Sequence, residues 1–555
     1  MVTGTILLRG QSTVALAGTH YGYDADRDLV VVRLATDELS YPVATLQGDT
    51  ENFTFVDVQR EVLRYDTTYG ALDRAGDSVT VAFTRLPLIK IVTERNLNQY
   101  EHRPATFSYV DDEQELQASI GIRHRGSYSL RFPKKSFDME FWEDTESQKS
   151  TDVTFGDLRE DDDWVLDALY NEPMRVNSYV AHKLWLDMHS PYYQQDEPEA
   201  KSGADVMYAE VFYDGGYHGL YMMSEQVDRK QLKLKKFKDG KIRGELYKGV
   251  GYSDATLFRG QPSLQINSKN EYAAWEVKHP DTEDIIDYSN LYDLLGFVTK
   301  DTDENFRGEA GKYFELGNIR DYFLFINVAT LTDNAGKNTY LARYDTEEPY
   351  FYAPWDLDAS FGNRYNGERE LRTELWITNG LQDRLLELSP EYYNSQLCSR
   401  YDELRLGPFD PDNLMARLET QIKYLKDNGV YEREVMRWPE SVDISDDQIA
   451  FTNKHITARI AYLDDAACEF STALPDLVAP ASPPIIVYPN PASQRVNVKH
   501  AFTQSTAYDL LNVTGQIVAS GYISGEQDHI DVSHLRTGLY FLRLGRQSAR
   551  VLVAR

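Results

Sequence analysis

The stretch "LPDLVAPASPPIIV", residues 474–487, constrains this chain more than any other. Proline fixes φ and carries no backbone N–H, so prolines recurring through a segment exclude both a helix interior and a central strand. Such a segment is a stiff, extended connector. With 555 residues the chain is also too long for one core. A linker over 471–486 therefore divides a long N-terminal part from a β-type C-terminal segment, 487–555.

Residues 1–84 alternate apolar and polar positions and are rich in β-branched residues, as in "LVVVRLAT", "NFTFVDV" and "SVTVAFT". They read as a small β domain, joined onward by "RLPLIKIVTE". "DADRD" at 24–28 has the spacing of a calcium loop without its Gly and distal Glu, and reads as a solvated turn. From 85 to 470 strand and helix patterns mix, so the fold class is α+β. Two strands flank a Gly turn in "SIGIRHRGSYSLRFPKKSFDMEFW". A loop and then a helix follow in "WVLDALYNEPMRVNSYVAHKLWLDM". "AEVFYDGGYHGLYMMSEQVD" is a hairpin, "GELYKGV" a strand, and "NIRDYFLFINVATLT" a helix. Further helices are expected near 375–405, 412–428 and 446–469, and about seven short strands after the linker.

The net charge of −30 and pI near 4.8 disfavour non-specific nucleic-acid binding and adhesion to anionic membrane. No apolar run reaches the length of a membrane span. The N-terminus "MVTGTILLRG" has no basic region before an apolar stretch, which fits a cytosolic protein or one whose signal peptide has been removed. Cys398 and Cys468 are the two cysteines; they form one bridge or stay buried as thiols.

The chemistry concentrates between Leu331 and Gly362. A helix ending at Thr332 puts Asp333 at the start of a loop, with Asn338 five positions later. Strand "TYLARY" runs out, "DTEEP" turns, and "YFYAP" returns, delivering Asp356 and Asp358 to the same end. This is the layout of a protein-kinase-like centre: Asp333 as base, Asn338 and Asp356 holding Mg²⁺ through hard oxygens, Asp358 a second candidate ligand. Singly, each of these residues is as readily a turn cap, and Asp-x-Asp also fits a glycosyltransferase. Lys248, in an apolar-aromatic strand, is the candidate for the nucleotide phosphates, with Glu225 as its partner. Tyr221 is either a base-stacking residue or a core tyrosine.

Two resemblances follow. "GIRHRGSYSLRFPKKSFDMEFW", "AEVFYDGGYHGLYMMSEQVD", "GELYKG" and "PWDLDASFG", in this order, resemble motifs of the spore-coat protein H (CotH) kinase family. This implies an atypical protein kinase using ATP and Mg²⁺ on Ser or Thr of secreted or surface proteins. Lys248 would be the nucleotide lysine, Asp333 the base, Asn338 and Asp356 metal ligands, and Tyr221 the adenine-stacking residue. Lys134 and Lys135 match a Lys-Lys block of structural or phosphate-facing role. The family's Asn after Arg-Gly is replaced here, Arg125-Gly126 being followed by Ser127. Downstream, Tyr488-Pro489-Asn490-Pro491, Gly515, Asp531 and Gly538-Leu539-Tyr540 resemble the C-terminal sorting domain of the type IX secretion system. That implies an Ig-like sandwich, the type IX machinery as partner, and export to the outer-membrane surface or medium of a Gram-negative bacterium, as in Bacteroidota. Other readings are a non-catalytic surface or adhesion protein on the same fold, or a different nucleotide-dependent transfer such as adenylylation or glutamylation.

Overall fold

The computed structural model describes residues 13–94, 96–469, 486–499, 506–512, 517–523, 527–544 and 547–554. The proline-rich stretch as far as residue 485, the N-terminal decapeptide and Gly515 lie outside these residues. The chain is mixed α+β and divides into two compact units, Met1–Thr472 and Ala473–Arg555.

The first unit begins with a seven-stranded sheet: β1 (Thr13–Ala15), β2 (Tyr21–Asp24), β3 (Leu29–Arg33), β4 (Val43–Gln47), β5 (Asn52–Gln59), β6 (Thr68–Leu72) and β7 (Ser78–Thr84), ordered β1-β4-β5-β6-β7-β3-β2. The run "LVVVR" of β3 is buried on both faces. Val30 and Val32 face the sheet's own core. Leu29 and Val31 pack with Leu88, Val110 and Phe212 of the next layer. "DADRD" forms a turn, but Asp24 is not solvated. It is buried, and it accepts from the backbone of Asp26, Arg27 and Tyr217.

The next layer is a closed barrel of β8 (Leu88–Thr93), β9 (Arg103–Val110), β10 (Glu115–Arg125), β11 (Ser136–Trp142), β12 (Asp163–Asp167), β13 (Val206–Tyr213) and β14 (Gly216–Ser224). "RLPLIKIVTE" is therefore no mere connection: most of it is β8, which closes the barrel by pairing in parallel with β13. Likewise "WVLD" is strand rather than loop, since β12 fills the place between β11 and β14. Closure leaves no edge at which either segment could remain irregular.

A second, five-stranded sheet orders β16-β17-β15-β18-β19, from β15 (Glu245–Gly249), β16 (Glu271–Tyr272), β17 (Trp275–His279), β18 (Thr339–Arg343) and β19 (Tyr350–Pro354). Nine α-helices occur among the described residues. They are α1 (Asn177–Met188), α2 (Ser289–Lys300), α3 (Asp303–Tyr313), α4 (Leu316–Ala329), α5 (Gly380–Leu388), α6 (Tyr393–Arg405), α7 (Pro411–Asp427), α8 (Val430–Arg437) and α9 (Asp446–Glu469). Helix α4 is buried nearly all round and runs through the largest core, where its buried Asn318 and Asn327 bond backbone carbonyls. Glu315 caps its N-terminus, accepting from the backbone of Gly317 and Asn318. The helix stops at Thr330, which takes a left-handed conformation at φ 64°. Cys398 of α6 and Cys468 of α9 are joined in a disulfide.

The second unit carries β20 (Ile486–Tyr488), β21 (Arg495–Lys499), β22 (Thr506–Asn512), β23 (Ile517–Ile523), β24 (Gln527–Asp531), β25 (Gly538–Leu544) and β26 (Gln547–Val553). They form a three-stranded sheet and a four-stranded sheet over one core that includes Val496, Leu510, Ile530, Leu542 and Val551. No helix among the described residues is long and apolar enough to cross a membrane.

Candidate functional site

Three strands bring the candidate residues together. β15 pairs antiparallel with β18, setting Lys248 opposite Tyr340. β18 pairs antiparallel with β19, setting Thr339 opposite Pro354. The ends of the β18–β19 hairpin therefore lie beside the Lys248 end of β15. Backbone bonds lock the junction: Asn338 N–H donates to Gly249 O at 3.0 Å, and Trp355 N–H to Asn338 O at 3.2 Å. The approach needs glycine at 249, where a Cβ would sit 2.7 Å from the carbonyl oxygen of Gly336. Asn338 and Asp356 both take left-handed backbone conformations, at φ 54° and 58°. Such conformations cost energy in non-glycine residues and collect at functional sites.

Asp333 lies in a 3-10 turn, Thr332–Ala335, three residues beyond the helix cap. This turn, the hairpin ends and β15 form one wall of a cleft of about 1480 Å³. β10, β11, β12 and the turn after β10 form the opposite wall. Lys248, Asp333, Asn338, Asp356 and Asp358 all line it.

The electrostatics are those of a crowded, partly desolvated site. Burial and the nearby Arg125 and Lys278 push the Lys248 ammonium down to about 8. That ammonium lies 5.5 Å from the ring centre of Trp355 and 5.6 Å from that of Tyr340. Burial raises the carboxyls of both Asp356 and Asp358, and for Asp358 the neighbouring Asp356 adds to it. Desolvated carboxylates crowded in this way favour a shared proton or a bound cation.

Sequence reasoning passed over several groups here. Asn171, from the loop after β12, donates to Asp358 Oδ2 at 2.6 Å. The Arg125 guanidinium lies 5.2 Å over Trp355 and 3.8 Å from Asp167 Oδ2. Asp167 accepts from the Ser136 hydroxyl at 2.9 Å. Tyr252 donates to Asp333 Oδ1 at 2.8 Å, and Lys337 Nζ stands 3.6 Å from Asp333 Oδ2. The one signal for Arg125 was its place before Gly126, whose φ of 106° makes the turn that overhangs the cleft. Asp167 ends β12 and Ser136 opens β11, while Asn171, Tyr252 and Lys337 come from loops with no pattern of their own.

Two expectations fail. Tyr221 is fully buried inside the barrel and does not line the cleft. Its hydroxyl donates to Lys135 O and meets His218 Nδ1. Glu225 is not the partner of Lys248. Its carboxylate accepts from Lys201 Nζ at 2.7 Å, Gln231 Nε2 at 2.6 Å and the backbone of Arg159 and Asp205. In the Lys-Lys block Lys134 is buried and Lys135 half-buried. Lys134 bonds Glu434 and the carbonyl of Leu220, and Lys135 bonds the carbonyls of Leu130 and Phe132.

Comparison with known proteins decides the family. A family model described as CotH kinase protein matches residues 122–463, more than half of the chain. The chain belongs to the CotH kinase protein family. Within the curated proteins this CotH chain is similar to the inner spore coat protein H of Bacillus subtilis (strain 168), 24% identical over 349 residues, covering 57% of this chain and 88% of the relative. Residues 486–553 match the secretion system C-terminal sorting domain, which points to secretion. A solved structure, that of AaCel9A in complex with cellobiose-like isofagomine, matches 13% of this chain and 15% of its own. It is 24% identical with a TM-score of 0.12, and it carries no argument.

Proposed function

We propose that the first unit is a protein-kinase-like phosphotransferase that moves the γ-phosphoryl group of ATP to Ser or Thr of secreted or surface proteins. The observation that carries this reading is the β15–β18–β19 pairing, which sets Lys248 beside Asn338 and Asp356 in the cleft that holds Asp333.

Asp333 takes the proton of the acceptor hydroxyl as its oxygen attacks the γ-phosphorus, and ADP departs with the electrons of the broken P–O bond. Lys248 holds nucleotide phosphate from its place near the end of β15. Arg125 stands ready to add a second cation from the barrel wall. Asn171 holds Asp358 in place by its 2.6 Å bond. The oxygens of Asn338, Asp356 and Asp358 form a hard donor set suited to Mg²⁺. Bound there, Mg²⁺ would neutralise charge on the phosphate oxygens. The second unit is proposed as an Ig-like sorting module read by the type IX secretion machinery, sending the protein to the cell surface or medium.

The test is incubation with γ-labelled ATP, Mg²⁺ and an added acceptor protein, in wild type, Asp333→Ala and Asp356→Ala. Transfer in wild type and its loss in both variants is the expected result. Transfer from α-labelled ATP instead would replace this reading by adenylylation. No nucleotide binding by calorimetry would leave the non-catalytic surface protein.

A further inference from the structure

We propose that Tyr252 is an intramolecular phosphoryl acceptor, a self-modification site built against the candidate base. The proposal rests on the phosphotransferase reading above and adds a specific acceptor to it.

The phenol of Tyr252 donates its proton to Asp333 Oδ1 at 2.8 Å. That is the contact an acceptor hydroxyl must make with the base before transfer. The other Asp333 oxygen faces Lys337 at 3.6 Å, so the carboxylate is oriented between a cation and the phenol. Tyr252 lines the same cleft as Lys248 and Asp356, and lies four positions after Lys248 in the chain.

The contact is not needed to hold the loop. Ser253 and Thr256 close a tight turn of their own: Ser253 N–H donates to Thr256 Oγ1 and Thr256 N–H to Ser253 Oγ. Thr256 Oγ1 also donates to Gly251 O, and Ser253 Oγ to Ala273 O. Tyr252 is 53% exposed, so its place over Asp333 is not imposed by packing. Burial of the hydroxyl and the Asp333 charge both raise the phenol well above its ordinary range. It keeps its proton at neutral pH and needs a base to lose it.

The step balances. The phenol oxygen forms a bond to the γ-phosphorus and its proton passes to Asp333. The bond from γ-phosphorus to the β,γ-bridging oxygen breaks, and ADP leaves with that electron pair. The product phosphate would be repelled by the Asp333 carboxylate and drawn to Lys337. Modification would therefore swing Tyr252 off the base and free Asp333 for other acceptors.

The full chain, first treated with phosphatase, is incubated with γ-labelled ATP and Mg²⁺, alone and with dephosphorylated casein, and label is located by peptide mass spectrometry. The expected result is about one label per chain on Tyr252, at a rate per molecule unchanged by tenfold dilution. Asp333→Asn should abolish it. Tyr252→Phe should lose that label while keeping the wild-type melting temperature. Label on casein or on other residues with Tyr252 unmodified overturns this proposal and leaves the phosphotransferase standing. A rate per molecule that falls on dilution overturns the intramolecular route. No label on chain or casein overturns both.

Discussion

Lys134 and Glu434 are 300 residues apart in sequence and 3.0 Å apart in space, with neither side chain exposed. The Glu434 carboxylate is shared with Arg175 Nε at 2.8 Å, and it accepts from the Leu220 backbone. Burial alone would raise this carboxyl, but Lys134 and Arg175 together hold it below its ordinary value. The cluster fastens α8 to the barrel. Removing one member leaves buried charge unpaired. Glu434→Gln should therefore cost about 3–5 kcal/mol. Urea unfolding of the two proteins measures this, and a loss below about 1 kcal/mol would show the cluster to be dispensable.

Glu172 makes stability depend on pH. Its carboxyl is buried and accepts from the backbone and hydroxyl of Ser178 in the first turn of α1. Burial pushes it up to about 8 from an ordinary 4.5. The unfolded chain gives up this proton first, so the favourable contribution is complete below about pH 4.5 and is lost as pH rises through about 8. Glu172→Gln should flatten the fall in melting temperature across that window. Equal slopes in mutant and wild type would place the dependence elsewhere.

At the site, Asp333→Asn should lower phosphoryl transfer by about 10²–10⁴-fold, the usual contribution of a positioned base. Nucleotide affinity by calorimetry should stay near wild type. Lys248→Met should do the reverse, weakening nucleotide binding first, because the role proposed for its ammonium is a phosphate contact and not proton acceptance. A variant pair that loses both properties together would mean collapse of the β15–β18 junction.

The Cys398–Cys468 bridge spans 70 residues and ties α6 to α9. Cross-linking a loop of that size restrains the unfolded chain by about 2–4 kcal/mol. Cys398→Ser with Cys468→Ser should lower stability by that amount in denaturant melts. Wild type under reductant should match the double variant.

The sequence carried the local geometry of the candidate site well. The hairpin of β18 and β19, and the return of Asp356 toward Asn338, follow from turn length and strand alternation. Tyr221 was illegible for the same kind of reason in reverse. On β14, Tyr221 and Met223 point into the barrel while Leu220 and Met222 face the larger core. Both parities are apolar, so alternation alone does not say which face a tyrosine takes.

Partners were the part that sequence could not assign. Glu225 goes to Lys201, while Lys248 sits over the Tyr340 and Trp355 rings with Glu276 opposite it on β17 and Asp356 nearby. Strand pattern, motif order and the family itself were determined by the sequence, because they depend on neighbours a few residues away. Which charge meets which, Tyr252 on Asp333 and Lys134 on Glu434, was decided only by tertiary structure. Those pairings depend on how a closed barrel, a second sheet and α8 pack across hundreds of residues, and no local periodicity encodes that distance.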